Sequence, residues 1–169
     1  MNDNIILIGM PGSGKSSVGV VLAKAMGLRY VDADLLIQER EGALLQDILN
    51  EKGTDAFLDI EGDVLASLDT SRTVIAPGGS CVCRDYAMDH LRSLGTVVYL
   101  ELSLEDVTAR IHNLSTRGIA LQPGQTLGDV YAYRVPLYEK YAHLTVRANG
   151  QTLSETVQTV LSALAVYNK

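Results

Sequence analysis

The chain has 169 residues, 47% of them apolar and 20% charged, and carries a net charge of −6. That length suits one domain with a sizeable core, and that balance excludes an intrinsically disordered chain. The negative charge argues against a general nucleic-acid binder, and no apolar run is long enough for a membrane span.

The opening Met1-Asn2-Asp3-Asn4 lacks the basic stretch of a secretory leader, so a cytoplasmic location is expected. Asn4-Ile-Ile-Leu-Ile-Gly9 reads as a buried parallel strand. Lys15 to Met26 has helical spacing through Val18, Val21, Leu22 and Ala25, and Gly27 ends it. Arg29 to Asp32 is a second strand. Two or three helices follow, separated by Gly42 and Gly53, the last covering about Thr54 to Leu68 with an apolar stripe of Phe57, Ile60, Val64 and Leu68. Thr73 to Ala76 is a third strand, leading into Pro77-Gly78-Gly79. A helix over about Tyr86 to Leu94 and the strand Thr96 to Glu101 come next.

Ser103 and Asp106 form an N-cap for a helix to about Asn113. Leu114 to Gln125, with Gly118, Pro123 and Gly124, lacks periodicity and is expected to be a mobile loop. Thr126 caps the next helix, Leu144 to Arg147 is a fifth strand, and Thr152-Leu-Ser-Glu155 is a capping box for the final helix. Strands alternating with helices predict an α/β protein with a largely parallel sheet and right-handed connections.

The acidity is local. Between Tyr30 and Asp69 there are eleven acids against Arg40 and Lys52, a net −9, so the rest of the chain carries +3.

Gly9-Met-Pro-Gly-Ser-Gly-Lys-Ser16 matches G-x-x-x-x-G-K-[ST] and lies between a predicted strand and a predicted helix. The glycines let successive N–H groups turn inward toward phosphate oxygens, and the helix adds the positive end of its dipole. Gly12, Ser13, Gly14, Lys15, Ser16 and Ser17 are the expected nucleotide-binding residues. Lys15 would reach the β and γ phosphates, and the Ser16 hydroxyl would ligate Mg2+. No Asn-Lys-x-Asp guanine-reading motif follows, so ATP is the expected nucleotide.

Asp32-Ala-Asp34 ends the second strand, where a parallel sheet opens its ligand crevice. A lone D-x-D also suits a helix cap; beside this loop it points to phosphoryl transfer. Together with Phe57-x-x-x-Glu61, Gly78-Gly79, Arg117 and Arg134-Val-Pro-Leu-Tyr138, these motifs make the chain resemble the shikimate kinase family from about Asn4 to Leu164. The resemblance implies a single kinase domain over 1–169 with a three-layer P-loop NTPase fold. Its five-stranded parallel sheet would have the order 2-3-1-4-5 and be flanked by helices, with an acceptor-binding helical segment near 33–62 and a lid near 112–125.

The implied reaction is ATP-dependent phosphorylation of shikimate to shikimate 3-phosphate in aromatic amino-acid biosynthesis, by a monomer that binds neither nucleic acid nor membrane. By the same resemblance, Asp32 helps Ser16 hold Mg2+, and Asp34 binds the acceptor polyol and is the candidate base. Arg117 is the lid arginine on the transferring phosphate, Arg110 packs at the adenine, and Glu61, Gly78, Gly79 and Arg134 bind the acceptor.

Three positions depart from the family pattern. Leu58 stands where the family has an arginine for the acceptor carboxylate, Pro77 replaces a hydroxyl residue, and Ser80 replaces a third glycine. Arg84 is the candidate for a relocated arginine. In the lid, Arg117 is followed by Gly-Ile-Ala rather than Pro-Leu-Leu. These departures keep two alternatives open: a kinase for another small hydroxyl acceptor, and a non-catalytic ATP-binding regulator. Cys81-Val-Cys83 has too few companions for a zinc site. His90, His112 and His143 read as surface or packing residues, and Tyr131, Tyr133, Tyr138 and Tyr141 as helix packing.

Overall fold

Strands β1 (Asn4–Ile8), β2 (Arg29–Asp32), β3 (Thr73–Ala76), β4 (Gly95–Glu101) and β5 (Leu144–Arg147) pair in the order β2-β3-β1-β4-β5, every pair parallel. The computed structural model describes residues 3–111 and 119–169. The sheet order is the one the family resemblance implies.

Side chains on a strand alternate between the two sheet faces, so each strand feeds two cores. Ile5, Leu7, Val74, Val98 and Leu100 pack on one face with α1 (Lys15–Met26) and α8 (Leu153–Tyr167). Ile6, Ile8, Ile75, Val97 and Tyr99 pack on the other with α5 (Asp85–Leu94) and α7 (Leu127–Tyr141). Helices on both faces make three layers. Asn4, inside the apolar run, is 3% exposed, yet its amide is satisfied. It donates to Thr70 and Leu94 and accepts from the Thr73 N–H, tying the starts of three strands together.

The three helices before β3 are α2 (Ala33–Glu41), α3 (Leu45–Lys52) and α4 (Thr54–Ala66). They hold a third apolar cluster, away from the sheet, of Ile37, Ile48, Phe57, Leu58, Val64 and Ala120. The stripe expected on α4 is corrected in part: Leu58 and Leu65 are buried beside Phe57 and Val64, while Ile60 and Leu68 are half-buried. The reason is that α4 is covered on two sides, by α2 and α3 and by the sheet layer that contains Leu65.

Both capping boxes form, Thr126 with Asp129 and Thr152 with Glu155, and Ser103 caps α6 (Leu104–Ile111) through the Asp106 N–H. A 3-10 turn at Cys81–Cys83, absent from the sequence reading, connects the Gly-Gly turn to α5. Tyr138 and Tyr141 are buried as expected, but Tyr133 is 58% exposed, because its position on α7 faces solvent. His143 accepts the Val97 N–H, and His90 bonds the Leu68 carbonyl, so both have packing roles. His112 to Gly118, on which the predicted helix end at Asn113 and the start of the predicted mobile loop fall, lie outside the described residues. Among the described residues, no helix is long and apolar enough to cross a membrane.

Candidate active site

The carboxyl ends of β1, β2 and β3 open into a cleft of about 410 Å³. One wall is the loop between β1 and α1. Gly14 caps α1 at φ 91°, which directs the loop into the cradle its sequence predicts. Lys15 is 8% exposed, and its ammonium donates to the carbonyls of Gly9 (2.9 Å) and Met10 (2.8 Å) and to Ser13 Oγ (3.3 Å). Burial pushes Lys15 down to about 8, against the opposing charges of Asp34 and Glu61. Gly12, Gly14, Ser16 and Ser17 line the same wall, and Ser13 is buried behind it.

Ser16 Oγ donates to Asp32 Oδ2 at 3.0 Å, and the Tyr30 hydroxyl donates to the same oxygen at 3.1 Å. Asp32 Oδ1 accepts the Asp34 N–H at 3.0 Å and so caps α2. One carboxylate therefore both caps α2 and meets the Ser16 hydroxyl. A hydroxyl and a carboxylate together are hard oxygen donors of the kind Mg2+ takes alongside phosphate oxygens, so the residues present fit that ion.

Across the cleft, Asp34, Glu61, Gly78, Gly79 and Ser80 form the second wall, with Gln38 and Phe57 beside them. Gly78 sits at φ 81°, and a Cβ there would meet Glu61 Oε2 at 3.0 Å and Asp34 Oδ1 at 3.2 Å. A Cβ on Gly79 would stand 2.9 Å from the Pro11 ring. The two glycines thus admit first the carboxylates and the phosphate loop, not only an acceptor. Glu61 is 2% exposed, and Ser80 Oγ lies 2.7 and 2.9 Å from its two oxygens. Burial pushes Glu61 up to about 8; Ser80, Arg134 and Lys15 oppose this, and Asp34 adds to it.

The arginines divide. Arg110 leans over the phosphate loop and donates to the Gly12 carbonyl at 3.3 Å. Arg134 is 3% exposed and donates to the Ala120 carbonyl at 3.0 Å; its charge acts on Glu61 and Lys15 from behind the cleft wall. Arg117 lies outside the described residues. Arg84 does not reach the cleft: it pairs with Asp59 at 2.8 Å and donates to the Asp55 carbonyl, because residues 81–83 turn it onto the outer side of α4. It is therefore not placed as a relocated arginine. Leu58 extends the apolar cluster next to Phe57 and Ala120.

Sequence reasoning did not assign Tyr30 or Ser80 to the site. Tyr30 has no local signal, since its hydroxyl reaches Asp32 only through strand geometry. Ser80 was legible only as a hydroxyl on a turn otherwise made of glycine.

The shikimate kinase family model matches residues 11–165 of the chain. A shikimate kinase of Paracidovorax citrulli is 36% identical over 95% of this chain and 91% of that protein. One of Pseudomonas aeruginosa is 37% identical over 95% of each. The solved structure of the Acinetobacter baumannii shikimate kinase in complex with shikimate superposes with a TM-score of 0.88 at 31% identity, covering 99% of this chain and 94% of that one.

Proposed function

The chain belongs to the shikimate kinase family, and from that premise we propose how its residues divide the work of the reaction. The activity is ATP-dependent transfer of a phosphoryl group to a hydroxyl of shikimate, giving shikimate 3-phosphate. The observation that carries this reading is that the phosphate loop and the Asp34–Glu61 pair line the same cleft. Phosphoryl transfer is largely positioning and charge neutralisation, which this arrangement supplies.

Gly12 to Ser17 cradle the phosphates, with Lys15 on the β and γ groups and Arg110 at the nucleotide side. Ser16 and Asp32 would hold Mg2+, which would supply neutralisation of phosphate charge. Asp34 orients the attacking hydroxyl and takes its proton. Glu61, Gly78 and Gly79 complete the acceptor wall, and Arg134 supplies positive potential for the acceptor carboxylate. By family resemblance, Arg117 neutralises the transferring phosphoryl group from a lid over about 112–125, and helices within 33–62 carry the acceptor. A cytoplasmic monomer is the accompanying assignment.

A coupled ADP-release assay tests the reading. Turnover that depends on shikimate is expected. Turnover with other small hydroxyl acceptors but not shikimate would move the acceptor assignment, for which buried Leu58 is the motive. Tight ATP binding without turnover on any acceptor would overturn catalysis itself.

A further inference from the structure

Glu61 is a carboxylate almost fully removed from water, and such a group needs donors. Position 58, one turn earlier on α4, is the neighbouring helical site from which a side chain could reach it. Leu58 is 8% exposed, packs with Phe57, Ile37 and Ala120, and has no hydrogen to donate. The donor comes instead from another element. Ser80 is itself only 6% exposed, and its Oγ lies 2.7 Å from one Glu61 oxygen and 2.9 Å from the other. Its single proton serves one oxygen at a time while the hydroxyl stays centred on the carboxylate.

Ser80 also belongs to the turn that fixes the acceptor wall. Two residues earlier, the Gly78 Cα faces Glu61 Oε2 and Asp34 Oδ1 together. Ser80 therefore links Glu61 to the same stretch of backbone that Asp34 faces.

We propose that Ser80 is a positioning residue for the acceptor: its hydroxyl holds the Glu61 carboxylate beside Asp34, where both can accept hydrogen bonds from acceptor hydroxyls. This rests on the reading above that Glu61 belongs to the acceptor wall. It assigns to Ser80 a part in selecting a polyol that leucine at position 58 leaves open. The other charged and titratable groups facing Glu61 are Asp34 from α2, Lys15 from α1, Arg134 from α7, and Cys81 and Cys83 from the 3-10 turn.

The test is steady-state kinetics of the full chain with shikimate and MgATP, between about pH 6 and 9, for Ser80→Ala, Ser80→Gly, Ser80→Thr and Glu61→Gln. Ser80 has φ −92° and ψ 3°, a conformation open to all three replacements, and a thermal melt of each variant checks that it folds. Losing the Ser80 hydrogen bond to the buried Glu61 carboxyl should raise the shikimate KM by about tenfold in Ser80→Ala and Ser80→Gly. The ATP KM should stay within about twofold. The pH limb of kcat/KM for shikimate should move upward, because the lost donor favours the ionised Glu61. Ser80→Thr should restore both readouts.

If Glu61→Gln raises the shikimate KM while Ser80→Ala and Ser80→Gly leave both KM and pH profile as in the parent, Ser80 has no positioning role. If Glu61→Gln leaves the shikimate KM unchanged, the acceptor assignment of Glu61 fails, and the proposal fails with it.

Discussion

Ser16 and Asp32 share a hydrogen bond of 3.0 Å that joins the first turn of α1 to the last residue of β2. The other Asp32 oxygen caps α2 through the Asp34 N–H, so one carboxylate ties the Ser16 hydroxyl to the start of α2. Its two roles separate by mutation. Asparagine caps a helix as well as aspartate does, whereas alanine costs about 1 kcal/mol. Asp32→Asn should leave the melting temperature near the parent value yet raise the Mg2+ needed for half-maximal rate by about 10–100-fold. Asp32→Ala should show both effects. Equal melting temperatures for the two variants would remove the capping role.

Asp34 lines the cleft together with the glycine-rich loop, where a carboxylate could orient a hydroxyl and accept its proton. Asp34→Asn should lower kcat by about 10²–10⁴-fold. Nucleotide affinity, read by calorimetric titration, should be unchanged. A kcat close to the parent value would rule out Asp34 as the base.

Gly79 is the contact between the acceptor turn and the phosphate loop. In Gly79→Ala the new methyl would lie 2.9 Å from the Pro11 ring, which has little freedom to move. Overpacking of this kind costs about 1–3 kcal/mol. The ATP KM should rise together with a loss of stability in chemical denaturation. An unchanged denaturation midpoint would show that the loop yields without cost.

Arg84 and Arg134 should behave differently. The Arg84–Asp59 pair is a surface pair, with side chains 26% and 64% exposed, and such pairs contribute little. Arg84→Ala should therefore leave the shikimate KM within about twofold and stability within about 0.5 kcal/mol. Arg134→Ala leaves the Ala120 carbonyl without its donor, at a cost of about 1–3 kcal/mol, and should raise the shikimate KM. A rise in KM with Arg84→Ala alone would return Arg84 to the acceptor site.

Glu61 and Lys15 impose opposite pH dependences on stability. Glu61 is raised from 4.5 to about 8 by burial, so the folded state binds the extra proton between those values. Its stabilising contribution is complete below about 4.5 and is lost as pH rises through about 8. Lys15 is lowered from 10.5 to about 8 by burial, so its contribution is complete above about 10.5 and is lost as pH falls through about 8. The parent melting temperature should thus decline from about pH 5 to 8 more steeply than that of Glu61→Gln. Parallel curves would mean that Glu61 titrates alike in the folded and unfolded chain.

The alternation of apolar runs with helical spacing was enough for the strands and most helix ends, because period and capping are local properties, while the strand order followed from the family resemblance. Gly9–Ser16 and Asp32-Ala-Asp34 stood out for the same reason: each is a contiguous stretch at the carboxyl end of a strand, and both line one cleft. Even the net charge of −6 resolved into an acidic block over residues 30–69 that contains Asp32, Asp34 and Glu61.

Other features required the packed molecule. Whether Arg84 faces the cleft or Asp59, whether Leu58 fills a core, and whether Ser80 meets Glu61 each depend on how separate elements are rotated against one another. Side-chain direction at those places follows from tertiary packing over separations such as the 19 residues between Glu61 and Ser80, a relation no local pattern encodes. The sequence by itself determined the strands, the helix caps and the glycine-rich loop before α1, because these depend on neighbouring residues. The tertiary structure decided the far wall of the cleft, because its polar groups are satisfied by partners from different elements, and burial makes each pairing obligatory.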